Sequence, residues 1–128
     1  MLSARDPQGQ TNSRLILVVD DSSALREALV SVLQNSGYEA FGTPDGQTAL
    51  VYARDHPVAL LITDMIMPGQ EGVETIQQFV REFPDIPIVA ISGNADYLRL
   101  AQALGASTVL TKPIGNARLL KAVADLIG

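Results

Sequence analysis

Leu15-Ile16-Leu17-Val18-Val19-Asp20-Asp21-Ser22-Ser23 joins five apolar residues directly to two carboxylates and two hydroxyls. A wholly apolar run of this length reads as a strand covered on both faces. Beyond it, Ser22 to Asn35 carries Leu25, Leu29, Val32 and Leu33 at a helical period, and Gly37 stops it. A doubly covered strand running straight into an amphipathic helix is the repeating unit of a parallel sheet.

The same alternation continues outward. Strands are expected at Tyr38 to Phe41, Val58 to Thr63, Ile86 to Ile91 and Thr108 to Thr111. Pro87 is tolerable near the beginning of its strand. Between them lie helices at Asp45 to Asp55, ended by His56-Pro57, and Gly72 to Phe83, broken by Pro84. A helix at Ala95 to Leu104 is closed by Gly105, and a last one is capped by Asn116. Ala49, Leu50 and Ala53 face inward from the second helix. Val73, Ile76, Phe79, Val80 and Phe83 are available to pack from the third, and Leu119, Leu120, Val123 and Ile127 from the fifth. The expected fold is α/β: a five-stranded parallel sheet with helices on both faces, doubly wound and flavodoxin-like. The first, third and fourth strands are the most apolar and should be central, giving the order 2-1-3-4-5. Residues 1–14 are polar and aperiodic and read as a flexible tail. Residues 15–128 are one domain, with no length left for a second.

Composition narrows the function. The 128 residues carry nine Lys plus Arg against fourteen Asp plus Glu, a net charge of −5, which argues against nucleic acid or an anionic membrane as partner. There is no Cys and a single His, so thiolate and multi-histidine metal sites are excluded and a Ser-His-Asp triad is disfavoured. No run approaches the ~18 apolar residues of a membrane helix, and the amino terminus lacks the apolar centre of a secretory signal. Cytoplasmic location is the expectation.

In an open parallel sheet, sites form beyond the carboxyl ends of the strands. Asp20 and Asp21 follow the first strand, Asp64 the third, Ser92-Gly93-Asn94 the fourth and Lys112-Pro113 the fifth. Neighbouring strands lie ~4.8 Å apart, so Asp21 and Asp64 are expected face to face. Carboxylates that close need a proton or a cation. Oxygen ligands without His or Cys point to Mg²⁺. A lone Lys beside such a metal and an open carboxylate suits phosphoryl transfer, with the carboxylate able to act as nucleophile.

These residues carry a resemblance. The chain resembles a receiver domain of the bacterial response-regulator family over roughly Arg14 to Gly128, of the single-domain, chemotaxis-regulator-like kind. Five motifs agree in order. They are Asp20-Asp21, the run Asp64-Met65-Ile66-Met67-Pro68-Gly69-Gln70-Glu71-Gly72, Ser92-Gly93, Gly105-Ala106 and Lys112-Pro113. The resemblance implies a phosphoacceptor switch of a two-component or phosphorelay pathway, and not an enzyme beyond gaining and losing its own phosphoryl group. Asp64 would accept the phosphoryl from a histidine kinase or histidine phosphotransfer protein. Asp21 and Asp64 would ligate Mg²⁺ with the backbone carbonyl of Ile66, and Asp20 would assist, partly through water. Lys112 would pair with the phosphoryl oxygens, and Ser92 would hydrogen-bond to them and move toward them. That movement would alter a face built from the fourth helix, fifth strand and fifth helix, where a downstream protein effector binds. Lys112-Pro113 would be a cis peptide.

Two departures stand out. Val109 occupies the place of a frequent aromatic switch residue, and Ser107-Thr108 that of an Asp-Asp pair used for dimer salt bridges. The competing reading is an unphosphorylated pseudo-receiver acting as a constitutive scaffold, with Val109 as its one supporting feature. A flavin-binding protein is disfavoured because Asp20 and Asp21 would repel a flavin phosphate. An aspartyl-phosphate phosphatase is disfavoured because Asp20-Asp21-Ser22 lacks the Asp-x-Asp arrangement.

Overall fold

In a computed structural model, which describes residues 14–66 and 71–128, five strands and five helices alternate along the chain. They are β1 (Leu15–Val19), α1 (Ser23–Asn35), β2 (Glu39–Thr43), α2 (Gly46–Asp55), β3 (Val58–Asp64), α3 (Glu71–Glu82), β4 (Ile88–Ser92), α4 (Ala95–Leu104), β5 (Thr108–Thr111) and α5 (Asn116–Ile127). The sheet runs β2-β1-β3-β4-β5, and every pairing is parallel. This is the expected flavodoxin-like order. All of residues 1–13 of the expected tail, and Met67 to Gln70, lie outside the described residues.

The apolar strands split their side chains between two cores. From β1, Leu15, Leu17 and Val19 join α2, α3 and α4 through Leu50, Phe79 and Ala101. Ile16 and Val18 join α1 and α5 through Leu33, Leu119 and Val123. Every residue of β1, β3 and β4 is buried, which is why those three strands occupy the middle. Each buried Leu, Ile or Val contributes roughly 1.5–3 kcal/mol. The centre has no polar face to spare, so the chemistry is confined to the strand ends.

Four expectations need correction. β2 starts at Glu39 and runs two residues beyond Phe41, because Gly42 and Thr43 pair with Val18 and Val19. Tyr38 stays outside it, its N–H donating to the Leu33 carbonyl at the end of α1. β4 begins at Ile88, past Pro87, which has no N–H to give; the Pro87 carbonyl still accepts from Leu61 N at 3.0 Å. In α3, Val80 is exposed, lying against Gly105 rather than in the core. Finally, Asn116 is the first residue of α5, and Gly115 holds the cap position without a side-chain hydrogen bond.

Other helix ends follow their residues closely. Gly105 closes α4 at φ +118, where a side chain would be strained. Ser22 caps α1 by accepting from Leu25 N, so neither carboxylate of the acidic pair is needed for that purpose. Asp45 caps α2, its Oδ1 accepting from Thr48 N at 2.7 Å. That backbone hydrogen bond, with a second one from the Thr48 hydroxyl, holds the Asp45 carboxyl below its ordinary range. Its contribution is therefore complete above the unfolded carboxyl pKa and fades as pH falls through the lowered folded value. Asp45→Ala is expected to cost about 1 kcal/mol at neutral pH. Urea melts of the two proteins should converge under acid.

At the sheet's outer edge Phe41, Tyr52 and His56 stack, with centroids 4.3 Å and 3.8 Å apart. His56 ends α2, its Nδ1 3.0 Å from the Tyr52 carbonyl oxygen. On α2 and α3, Arg54 makes a two-pronged pair with Glu82, at 2.5 Å and 2.8 Å. Among the described residues no helix is long and apolar enough to cross a membrane.

Candidate functional site

Strand register gathers the acidic residues. Val19 lies opposite Thr63, so the chain leaves β1 at Asp20 beside the last residue of β3, Asp64. Asp64 is opposite Ile91, and Ser92 opposite Thr111, so Ser92 and Lys112 arrive at the same edge. Lys112 N donates to the Ser92 carbonyl at 3.0 Å, and the Lys112-Pro113 peptide is cis.

Carboxylate oxygens of Asp20, Asp21 and Asp64 all lie within 4.8 Å of one another. The two members of the pair differ sharply: Asp20 is 1% exposed, whereas Asp21 faces solvent. Asp20 Oδ1 accepts from Ser22 N at 2.9 Å. Asp64 Oδ1 accepts from Ile66 N at 3.1 Å, and its Oδ2 accepts from Lys112 Nζ at 3.1 Å. Lys112 Nζ is 3.8 Å from Asp20 Oδ2. Burial pushes the Asp20 carboxyl above its ordinary range; the Ser22 hydrogen bond and Lys112 oppose this, and Asp64 and Asp21 reinforce it.

Asp20 Oδ2 is buried and has no hydrogen-bond partner among the described residues. A buried acceptor left open costs free energy. With the Asp21 and Asp64 carboxylates converging beside it, it makes an all-oxygen donor set suited to a divalent cation. Ser92 is fully buried at the end of β4, with its Oγ accepting from Asn94 N at 3.0 Å. A hydroxyl so engaged keeps its own hydrogen to donate. Ile66 is exposed beside Asp64. Met65 is 1% exposed and packs in the core. Val109 is partly buried against the core that contains Ala90 and Ala101.

Arg26 is a site residue that none of the sequence motifs marks. Its Nη1 donates to the Asp20 carbonyl at 2.7 Å, steadying the turn that carries the acidic pair. The signal for it was Gly42. A glycine inside a strand marks a close approach. Here a Cβ on Gly42 would stand 2.8 Å from Arg26 Cγ.

Comparison with known proteins agrees with this geometry. Residues 16–124 match the profile described as response regulator receiver domain. Response regulator RR06 of Streptococcus pneumoniae serotype 2 (strain D39) is 32% identical over 114 residues, which are 88% of this chain and 52% of that protein. The structure of chemotaxis protein CheY4 of Vibrio cholerae superposes with a TM-score of 0.82 at 28% identity, over 89% of this chain and 98% of that one. The receiver domain of NtrX from Brucella abortus gives 0.83 at 28% identity, over 88% and 97%. The chain belongs to the response regulator receiver domain family, in the two-component and phosphorelay superfamily. Asp20, Asp21 and Asp64 form the acidic cluster of a receiver phosphoacceptor site. The chain spans about half the length of the curated relatives it matches.

Proposed function

We propose that Asp64 is the phosphoacceptor of a signalling switch that receives its phosphoryl group from a histidine kinase or a histidine phosphotransfer protein. The observation that carries this is the Asp64 carboxylate at the sheet edge, 3.1 Å from Lys112 Nζ and clustered with Asp20 and Asp21. An Asp64 carboxylate oxygen forms the new O–P bond while the N–P bond of a phosphohistidine breaks. The imidazole nitrogen leaves with the electron pair and takes up a proton from solvent. Water later breaks the O–P bond, returning the carboxylate and inorganic phosphate. The chemistry of the chain is confined to gaining and losing its own phosphoryl group.

Mg²⁺ fits the oxygen set: Asp21, Asp64 and the Ile66 carbonyl would hold it and Asp20 assist, partly through water. When bound it neutralises charge on the phosphoryl oxygens. Lys112 supplies the fixed positive charge on the other side, and Ser92 donates its hydroxyl hydrogen to a phosphoryl oxygen. Because Ser92 and Lys112 are joined through their backbones, a pull on either reaches α4, β5 and α5, the face on which a downstream protein effector binds. Such a pathway operates in the cytoplasm.

The test is an intact-mass measurement after incubation with acetyl phosphate. One phosphoryl adduct is expected in the presence of Mg²⁺ and none in chelator. No adduct overturns the reading in favour of the unphosphorylated scaffold, and an adduct that forms equally without a divalent cation overturns the assignment to the metal-binding acidic edge.

A further inference from the structure

Asp64 is held by more than its own strand. The first turn of α3 rides directly on the backbone that carries it. A Cβ on Gly72 would stand 2.5 Å from the Met65 carbonyl oxygen and 2.7 Å from that of Asp64. Where α3 begins therefore sets where the Asp64–Ile66 backbone can lie. One residue before Gly72, the Glu71 side chain leaves its own helix and crosses to α2, where its Oε1 accepts from Gly46 N at 2.6 Å. Gly46 N is one of the unpaired donors at a helix start, so this bond meets a real need of α2. Beside it, a Cβ on Gly46 would fall 1.7 Å from Thr75 Oγ1, and Thr75 Oγ1 itself donates to the Glu71 carbonyl at 2.7 Å. The first turns of α2 and α3 are thus locked together.

α2 in turn hangs from the acidic pair. Asp20 N donates to the Thr43 carbonyl at 3.2 Å, and the Thr43 hydroxyl donates to the Asp45 carbonyl at 2.8 Å. A closed circuit results: Asp20, Thr43, Asp45, Gly46, Glu71, Gly72, Asp64. It joins the two carboxylate-bearing turns by a route separate from the β1–β3 pairing. Glu71 is the side chain whose reach closes it.

We infer that Glu71 is a positioning residue for the phosphoacceptor: it fixes the spacing of Asp64 and the Ile66 carbonyl from the acidic pair by anchoring α3 to α2. This rests on the phosphoacceptor reading of Asp64. Small displacements of reacting groups are expensive in rate, up to about a hundredfold for 1 Å. α2 and α3 have a second tie, Arg54–Glu82, at their far ends, which lies outside the circuit. The two ties separate positioning from mere stability.

The experiment compares the full chain with Glu71→Met, Glu71→Gln and Arg54→Met at a temperature where circular dichroism shows all four folded, with Glu71→Ala replacing Glu71→Met if the latter does not fold. Phosphoryl uptake from acetyl phosphate is followed against Mg²⁺ concentration, and Mg²⁺ affinity is measured separately by calorimetry. Glu71→Met should slow uptake roughly tenfold and raise the half-saturating Mg²⁺ several-fold. Glu71→Gln, which keeps an acceptor oxygen, should stay near wild type. Arg54→Met should lower the melting temperature and leave both site measurements unchanged. Wild-type behaviour in Glu71→Met, or an equal defect in Arg54→Met, overturns the inference. If the wild type takes up no phosphoryl group, the function proposal fails. The calorimetric comparison of Glu71→Met with Glu71→Gln then still decides the positioning role.

Discussion

Asp64→Asn should abolish the Mg²⁺-dependent phosphoryl adduct, a fall of at least ~10³-fold in uptake, while leaving the protein folded. The substitution keeps size and shape. The amide oxygen can still accept from Ile66 N, as Asp64 Oδ1 does at 3.1 Å. What disappears is the anionic nucleophile. Lys112 Nζ, now 3.1 Å from Asp64 Oδ2, would keep Asp20 Oδ2 at 3.8 Å as its remaining carboxylate partner. An adduct of unchanged mass and Mg²⁺ dependence in Asp64→Asn would place the acceptor elsewhere and sink the assignment.

Asp20→Asn should make the metal-free protein more stable, by about 1–3 kcal/mol at neutral pH. Asp20 is 1% exposed, and its Oδ2 lacks a hydrogen-bond donor among the described residues while sharing its surroundings with Asp64 and Asp21. Asn keeps an oxygen for Ser22 N and offers an N–H toward the remaining carboxylates. The pH dependence has a definite sign. Burial raises the folded pKa of Asp20, so between the unfolded and folded values the folded state binds more protons than the unfolded one. Stability conferred by this group is therefore full below the unfolded pKa and declines as pH rises through the folded value. In chelator, the wild type should lose stability across that window and Asp20→Asn should not. Mg²⁺ should restore the wild type by mass action and stabilise the variant less. Thermal melts with and without Mg²⁺ check this, and a variant less stable than wild type in chelator would refute it.

The elements that could be read from the sequence share one property: their neighbours do not alter their pattern. β1, β3 and β4 are buried at every position, so an unbroken apolar run sufficed. Their ends follow from topology, and so Asp20, Asp64, Ser92 and Lys112 could be assigned to one edge before any distance was known. β2 behaved differently. Gly42 and Thr43 carry no strand signal of their own and are strand only because Val18 and Val19 lie opposite. Nor could sequence say which carboxylate of the pair is buried. That depends on how the chain turns after Val19, with Ser22 N drawn onto Asp20 Oδ1. Glu71 is unmarked for a related reason, and Arg26 is marked only indirectly, by the close approach at Gly42. Each acts on backbone, at a partner chosen by tertiary packing, and Glu71 reaches Gly46 across twenty-five positions of sequence.

The aromatic stack at the outer edge bears on how the molecule can be watched. The chain has three Tyr and no Trp, so its ultraviolet emission is tyrosine emission. Tyr52 is sandwiched between Phe41 and His56, and Tyr38 lies under the Arg14 guanidinium, 4.6 Å from its ring centre. Tyr97 is the exposed one, on the first turn of α4, where its N–H is held by the same Asn94 whose own N–H rests on Ser92 Oγ. Two of the three fluorophores are thus pinned by neighbouring rings or a guanidinium, and the third is linked through Asn94 to Ser92 at the acidic edge. The protein carries a built-in optical label on α4, readable without a dye.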